Sequence, residues 1–289
     1  GLAFFYPHPI TIPLWKPILS LLFLGTATLL VFRRGKRYPY LPIGWMWYVG
    51  TLLPVIGLIQ VGPHAMADRY AYIPMIGLSM MIAWGVPDLA DRFRVGKGLI
   101  AVAAVLALLA VSAKTWVQLA TWQNSHSLFG HAVQVTKGNY IAHNNLGLAY
   151  YHDGRFAEAE REYRMAMAIS PNSAFIYNNL GVALIQQGKY EEAVSRFQEA
   201  IARRLDDEKT HHNMGSALFH LGRYEEAVLH YGKAISLGSG TADVHYSLGL
   251  ALLRLNRPAE AEAAFRSALK IDPQHEGAGK QLAEFGGKR

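Results

Sequence analysis

The sequence predicts an all-α protein, with about four transmembrane helices followed by an α-solenoid of stacked helical repeats. Two observations predict this fold class. Four long apolar stretches lie before about residue 120, and glycine recurs at a constant interval after it. Apolar residues make up 51% of the chain and charged residues 17%, and this average conceals a membrane half and a soluble half.

The N-terminal 1–117 region is predicted to be the transmembrane part. About 20 apolar residues are needed to cross a bilayer as a helix. The predicted spans are residues 14–32, 43–61, 72–86 and 99–117. The third span is short, so a re-entrant or interfacial helix is the alternative there.

Lysine and arginine predict the orientation of these spans, because basic loops favour the cytoplasmic side. The loop at 33–37 has four basic residues, and the loop at 88–98 contains Arg92, Arg94 and Lys97. These loops are two spans apart and therefore share a side. The loop at 62–71 has only Arg69. We therefore expect a multi-pass membrane protein whose repeats lie on the non-cytoplasmic side.

Residues 118–139 are predicted to form a helical junction, because the apolar residues Trp122, Leu128, Phe129 and Ala132 have helical spacing. Phe129 and Ala132 stand where a repeat has its second-helix aromatic residue and alanine. We therefore expect a half-repeat that leads from the membrane to the solenoid.

The glycines Gly147, Gly181, Gly215 and Gly249 are evenly spaced along the C-terminal half. Their spacing matches the period of about 34 residues that is typical of the tetratricopeptide repeat. Glycine inside a helix costs about 1 kcal/mol relative to alanine, so its recurrence predicts a packing role. The pattern resembles the tetratricopeptide family over residues 140–275. The predicted repeats are 140–173, 174–207, 208–241 and 242–275, followed by a capping helix and tail at 276–289.

The segment from Pro63 to Pro74 combines an acid and a base beside a span. In one interpretation Asp68 caps a helix and Arg69 reaches lipid phosphate. In the other, this loop binds a phosphorylated lipid carrier. The candidate donor-binding residues are His64, Asp68, Arg69 and Tyr70.

The segment from Ala67 to Gly77 resembles one found in the transmembrane and tetratricopeptide repeat-containing family. The Phe5–His8 segment and the order of spans, junction and repeats are also similar. The resemblance implies a multi-spanning glycosyltransferase that moves mannose from a polyprenyl-phosphate donor to Ser or Thr of an exported protein. It implies no further cofactor.

The resemblance also implies an acidic catalytic base in the first outward loop, which would lie upstream of Gly1. The opening of the chain is typical of the interior of a longer protein. We therefore expect a fragment that is inactive alone and whose catalytic residues are unknown.

A row of polar residues recurs with the same period in the repeats. An asparagine amide has two donors and an acceptor, which suits the backbone of an extended peptide. The alternative is that asparagine is common at this position of the repeat. The predicted peptide groove contains Asn145, Asn179, Asn213 and Ser247, with Asn144, Asn178 and His212 one residue earlier.

Other chemistry finds little support in the sequence. The chain has no cysteine, and its net charge of +7 arises largely in the two basic loops, so we do not expect nucleic acid as a partner. The histidine groups His211, His212 and His220 or His126 and His131 lack the spacing of a zinc helix, so no metal site is predicted.

The favoured hypothesis is a membrane protein O-glycosyltransferase whose repeats bind the acceptor polypeptide. The alternative is a membrane-anchored scaffold for protein–protein interaction without enzymatic activity. A cytoplasmic adaptor would require the opposite topology.

Overall fold

The computed structural model describes residues 15–52, 72–238 and 240–286. Within these ranges the chain forms α-helices and no strand, which confirms the all-α prediction. The chain divides between Ala142 and His143 into an N-terminal unit and a C-terminal unit.

The N-terminal unit contains five described helices, and three of them are long and apolar enough to cross a membrane. The three membrane-length segments are Pro17–Gly35, Ile73–Arg92 and Lys97–Ala120. The helices are α1 (Trp15–Gly35), α2 (Tyr40–Leu52), α3 (Tyr72–Arg92), α4 (Lys97–Ala120) and α5 (Ser125–Val135).

The predicted first and third spans end earlier than helices α1 and α3. Helix α1 continues to Gly35 and therefore includes Arg33 and Arg34 of the predicted basic loop. The stretch at 72–86 is not short, because α3 continues through Pro87 to Arg92 and has 21 residues. Arg92 therefore belongs to a helix rather than to the basic loop. Residues 53–61 of the predicted second span lie outside the described residues.

Helices α2 and α3 approach each other at two glycines. A Cβ atom on Gly77 would lie 2.9 Å from the backbone nitrogen of Tyr48 and would collide with the carbonyl oxygen of Gly44. Small residues allow this close packing of helices in a membrane. The indole nitrogen of Trp45 also donates a hydrogen bond of 3.0 Å to Thr28 on α1. Helix α4, in contrast, has no buried residue.

The junction consists of a turn and a short helix. Trp122 lies in the turn after α4 rather than on a helix, and its side chain is 51% exposed. Helix α5 begins after Asn124, whose side chain accepts a hydrogen bond of 2.9 Å from the backbone of Ser127. Ala132 on this helix is buried against Ala142.

The repeats form four helix pairs followed by a final helix. Each pair is joined by a short turn in which Gly154, Gly188, Gly222 or Asn256 has positive φ, and glycine adopts this conformation at little cost. The helices are α6 (Tyr140–His152), α7 (Phe156–Ile169), α8 (Ala174–Gln186), α9 (Tyr190–Ala202), α10 (Glu208–His220), α11 (Tyr224–Leu237), α12 (Ala242–Arg254), α13 (Pro258–Ile271) and α14 (Glu276–Gly286).

Each repeat glycine faces an aromatic ring on the second helix of the same repeat. A Cβ atom on Gly147 would lie 2.8 Å from the ring of Tyr163, and one on Gly181 would lie 2.7 Å from Phe197. The predicted packing role of these glycines is therefore confirmed. The same pairing occurs between Gly215 and Tyr231 and between Gly249 and Phe265.

Helix α14 covers the end of the last repeat. Ala278 is fully buried in the cluster that contains Phe265, and Leu282 packs against the same cluster. The apolar residues of the fourth repeat are thus shielded from solvent by the helix that follows it.

Candidate functional site

The candidate donor-binding residues His64, Asp68, Arg69 and Tyr70 lie in the segment 53–71, outside the described residues. The Phe5–His8 segment is also outside them. The donor site therefore remains a prediction from sequence.

The predicted groove residues lie on the first helix of each repeat, and all of them are half-buried. They alternate with buried positions of these helices, as Leu146 and Gly147 are buried directly after Asn145. The helices that carry the row are α6, α8, α10 and α12.

Hydrogen bonds connect the asparagines of neighbouring repeats. The side-chain nitrogen of Asn179 donates to the side-chain oxygen of Asn144 over 2.9 Å. Asn144 in turn donates to Asn145 over 3.4 Å, and the hydroxyl of Thr210 donates to Asn178 over the same distance. The residues one position earlier, Asn144 and Asn178, are therefore part of the row and make its contacts between repeats.

The later part of the row is built around one aromatic residue. Ser247 lies beside Tyr231 and favours ionisation of its phenol, although burial outweighs this effect and raises the pKa of Tyr231. The ring of His212 lies 5.8 Å from the ring of Tyr231. Burial lowers the pKa of His212, although nearby Asp243 and Glu208 raise it. This part of the row is therefore uncharged near neutral pH.

The hydrogen bonds within the asparagine row do not use all of its side-chain donors. Asn145 accepts the hydrogen bond from Asn144 through its oxygen, which leaves its amide hydrogens available. Asn178 likewise accepts from Thr210 and retains its amide hydrogens. The internal hydrogen bonds therefore orient the amides without using all of their donors.

Apolar side chains flank this row on the same helix face. Residues four and seven positions after Asn144 share its face, and they are Leu148, which is 39% exposed, and half-buried Tyr151. The later repeats have Val182, Ile185, Phe219, Leu250 and Leu253 in these positions, with the polar Ser216 as the exception. These positions were not predicted from the sequence, although the repeat period identifies them.

A histidine pair in the third repeat was also missed. The Nδ1 atoms of His211 and His230 are 2.8 Å apart, and Nε2 of His211 is 2.6 Å from a carboxylate oxygen of Asp206. In the first repeat the same two positions hold His143 and Glu162, at 2.8 Å. The repeat register would have indicated the pair, since each position recurs in every repeat.

The structure pairs His211 with the neighbouring helix rather than with His212 and His220 of its own helix. In the part of the chain that the structure describes, no group of three or more histidine, aspartate or glutamate side chains is arranged to hold a metal ion. The two imidazoles share one hydrogen bond, so one ring donates and the other accepts.

The N-terminal unit gathers basic side chains at one end, which we call the basic end. The end of α1 meets the start of α2, where a Cβ atom on Gly35 would lie 2.9 Å from Pro42. The hydroxyl of Tyr40 then donates to Asp88, near the end of α3, over 2.9 Å. The basic end consists of Arg33, Arg34, Lys36, Arg37, Arg92, Arg94 and Lys97.

Comparison with known proteins defines the class of the C-terminal region. Tetratricopeptide repeat profiles match residues 140–206, 178–240 and 212–276. Residues 140–276 are therefore tetratricopeptide repeats. Among solved structures, MamA 41-end from Desulfovibrio magneticus RS-1 has a TM-score of 0.50 at 16% identity, covering 58% of this chain and 94% of that one. This likeness shows the fold alone.

Curated relatives connect the chain to a particular group of repeat proteins. Protein O-mannosyl-transferase Tmtc3 of Drosophila melanogaster is 31% identical over 128 residues, which is 44% of this chain and 14% of the relative. Human Protein O-mannosyl-transferase TMTC1 is 30% identical over 152 residues, or 52% of this chain and 17% of the relative. The repeats and these relatives support a TMTC-like, tetratricopeptide repeat-containing family. The matched part spans less than a fifth of either relative.

Proposed function

We propose that this chain works as part of an integral-membrane protein O-glycosyltransferase that takes its sugar from a polyprenyl-phosphate donor. The observation that carries the proposal is the similarity to protein O-mannosyl-transferases in a chain whose described residues include three membrane-length helices. In this proposal the repeats bind the acceptor polypeptide, and the membrane unit contributes to the donor site.

The acceptor is proposed to bind in extended form along the first helices of the repeats. An extended backbone presents a regular series of N–H and C=O groups, and the amides of Asn145, Asn178 and Asn213 can pair with them irrespective of sequence. The flanking apolar positions, such as Leu148 and Tyr151, would contact acceptor side chains. Pairing with the backbone supports binding of many acceptor sequences, and the apolar contacts support some preference for acceptors with apolar side chains.

The acceptor proposal can be tested with a double substitution, Asn145→Ala/Asn213→Ala. Two lost hydrogen bonds at about 1 kcal/mol each should weaken binding by about 10- to 30-fold. The probe is an array of peptides tiled over exported proteins, with the strongest binder measured by fluorescence anisotropy.

Asn172→Ala is the matched control, because Asn172 is an exposed asparagine in the turn between α7 and α8. Thermal unfolding should be the same in all three proteins. Equal affinity of the double variant and the control would remove the asparagine row from the proposal.

The repeats are proposed to lie outside the cytoplasm. Basic loops favour the cytoplasmic side, and both basic segments share the basic end. Helix α4 starts at that end and is long enough to cross the membrane once. In this proposal it carries the chain to the opposite side before the repeats begin.

Cysteine labelling in intact cells tests this topology, because the chain has no cysteine of its own. Ser170→Cys reports on the repeats and Lys36→Cys on the basic end. Lys36 is exposed, whereas a side chain at Gly35 would collide with Pro42. A membrane-impermeant thiol reagent should label position 170 and not position 36. The reverse result would exclude acceptor binding outside the cytoplasm and favour a cytoplasmic adaptor.

The donor is proposed to bind at the loop that contains His64, Asp68, Arg69 and Tyr70. A guanidinium such as that of Arg69 can pair with two oxygens of a phosphate group at once. Asp68→Ala and Arg69→Ala in the complete protein should abolish mannose transfer from a polyprenyl-phosphate donor while membrane insertion is kept.

Asp91→Ala is the control for the donor experiment, because Asp91 is an exposed carboxylate at the basic end. Transfer should survive in that variant. If the loop variants also retain full transfer, the donor site lies elsewhere. A complete protein without any transfer activity would favour the membrane-anchored scaffold.

A further inference from the structure

The basic end has a strong excess of positive charge. Seven basic side chains are exposed there, against the two carboxylates of Asp88 and Asp91. The salt bridges found between described residues lie at His143 and beyond, so none of them neutralises this cluster. Asp88 accepts a hydrogen bond from Tyr40, which fixes one of the two carboxylates at the surface of α2.

The position of the cluster relative to the apolar helices sets its depth in a bilayer. Helix α1 has 21 residues and is therefore about 31 Å long, which matches the hydrocarbon thickness of a membrane. Arg33 and Arg34 lie in its last turn. Their guanidinium groups would consequently reach the level of the lipid phosphates.

Aromatic residues accompany the charges at this level. The guanidinium of Arg37 lies 5.5 Å from the ring of Tyr38, and that ring lies 6.0 Å from Tyr40. Phe93, in the turn after α3, is 69% exposed. Tyrosine rings such as these are enriched where a membrane meets water.

We propose that the basic end is a docking surface for anionic phospholipid headgroups. Clusters of four to eight Lys and Arg residues next to a transmembrane helix attract lipids with net negative charge. Four of the seven cations lie at the end of α1 or directly after it. The hydrogen bond between Tyr40 and Asp88 brings the end of α3, with the other cations, to the same place. The surface shares no residue with the proposed donor-binding segment, and it holds the unit at a fixed depth in the leaflet that it contacts.

The proposal requires the chain to be membrane-inserted but does not require it to be an enzyme. Sugar transfer and lipid docking are therefore tested separately. A loss of mannose transfer in the donor-loop variants would leave lipid docking unaffected, and the reverse also holds.

The test measures lipid retention by the full chain in detergent micelles titrated with phosphatidylglycerol or phosphatidylcholine. Native mass spectrometry counts the lipids that remain bound. Phosphatidylglycerol should be retained preferentially, and the preference should weaken as salt is raised. Arg33→Gln/Arg37→Gln and Arg92→Gln/Lys97→Gln should each reduce it, by about fivefold for every charge removed at low salt.

Lys114→Gln is the matched control. Lys114 is exposed on α4 and lies about 25 Å along that helix from Lys97. It should leave the lipid preference unchanged, while Asp91→Asn should increase it. Equal retention of the two lipids, or an equal effect of Lys114→Gln and the basic-end pairs, would overturn the proposal.

Discussion

The two units of the chain both bring helices together at glycine, but different atoms fill the space that glycine leaves. In the N-terminal unit, Gly44 and Gly77 let two backbones meet. In the C-terminal unit, Gly147 and Gly181 make room for the aromatic rings of Tyr163 and Phe197. A backbone cannot rotate away from a collision, whereas a ring has some freedom to move. The same residue type is therefore under different constraints in the two units.

The units also differ in where their large apolar side chains lie. Phe23 on α1 is 73% exposed and Leu108 on α4 is 68% exposed, whereas Tyr163 and Phe197 in the repeats are almost completely buried. Exposed apolar surface of this extent indicates that lipid is the solvent of the N-terminal unit. The repeats instead obtain their core by stacking on their neighbours.

The largest effect is expected from Gly77→Leu. The added side chain would meet the Gly44 carbonyl oxygen and the Tyr48 nitrogen, which are backbone atoms. Overpacking of this kind should destabilise the unit by about 3 kcal/mol. Thermal unfolding in lipid nanodiscs measures the loss. Gly25→Leu is the control, since nothing lies within 4 Å of a Cβ atom on Gly25. Equal melting of the two variants would show that the glycine contact between α2 and α3 is unimportant.

A smaller loss is expected from Gly181→Ala in the repeats. The new Cβ atom would lie 2.7 Å from the ring of Phe197, and the ring can shift in part. We expect a cost of about 1–2 kcal/mol in chemical denaturation. Combining the substitution with Phe197→Leu should cost less than the sum of the two single changes, because the smaller side chain leaves room for the new methyl group.

Gly232→Ala is the matched control on α11, where a Cβ atom meets nothing within 4 Å. Alanine is the better helix former by about 1 kcal/mol, so this variant should gain stability. A loss of stability at Gly181 and a gain at Gly232 would distinguish the effect of packing from that of helix propensity. Two losses, or two gains, would contradict the role of the ring.

Acid is expected to act on the C-terminal unit through its histidine pair. Burial and the charge of His211 lower the pKa of His230, although Glu226 raises it. The groups around the pair also include Asp206, whose pKa is lowered by its hydrogen bond to His211, and Lys233. Because the folded chain holds the His230 proton less tightly than the unfolded chain, stability is complete above about pH 6.5 and decreases as pH falls below it.

The expected loss is about 1 kcal/mol, because protonation of His230 places a positive charge on a half-buried imidazole. Urea unfolding of the chain between pH 7.5 and 5 measures it. His230→Gln keeps a donor without a titrating group and should flatten the profile. His152→Gln, at an exposed histidine, should leave the profile unchanged. An identical pH profile for all three proteins would show that the histidine pair does not cause the pH dependence of stability.

The smallest effect is expected at the surface. Arg266 is 67% exposed and pairs with Glu262 one helical turn away, at 2.6 Å. Ion pairs four residues apart on a helix contribute about 0.5 kcal/mol or less, so Arg266→Gln should change the unfolding free energy by no more than that. A loss well above this value would contradict this ranking, in which ion pairs stabilise the repeats less than the glycine contacts do.

The sequence alone predicted those features that depend on local spacing. The repeat period identified the repeats, their turns and the packing role of glycines such as Gly181, because every unit repeats the same contacts. The apolar helices were equally visible. The ends of these helices were harder to predict, since α3 continues through Pro87 and the polar residue Asp88 to Arg92.

Contacts between helices were harder to predict than the helices themselves. The bond from Asn179 to Asn144 joins residues 35 positions apart, one more than the period, so a strict ladder of equivalent positions did not reveal it. The pairing of His211 with His230 depends on which faces of α10 and α11 meet. Such pairs are set by helix rotation, which a sequence period indicates only after both partners have been aligned in register.

The placement of each glycine and its ring within a single repeat has a consequence for how the array can change in length. Because the glycine and the ring belong to the same repeat, removal of a whole repeat leaves every remaining glycine–ring pair intact. Without residues 174–207, Glu160 would face Arg223 in the position that Lys189 now occupies, and the basic partner would be preserved. Genetic loss or duplication of whole repeats would therefore change the length of the proposed binding surface while conserving the contacts within each repeat.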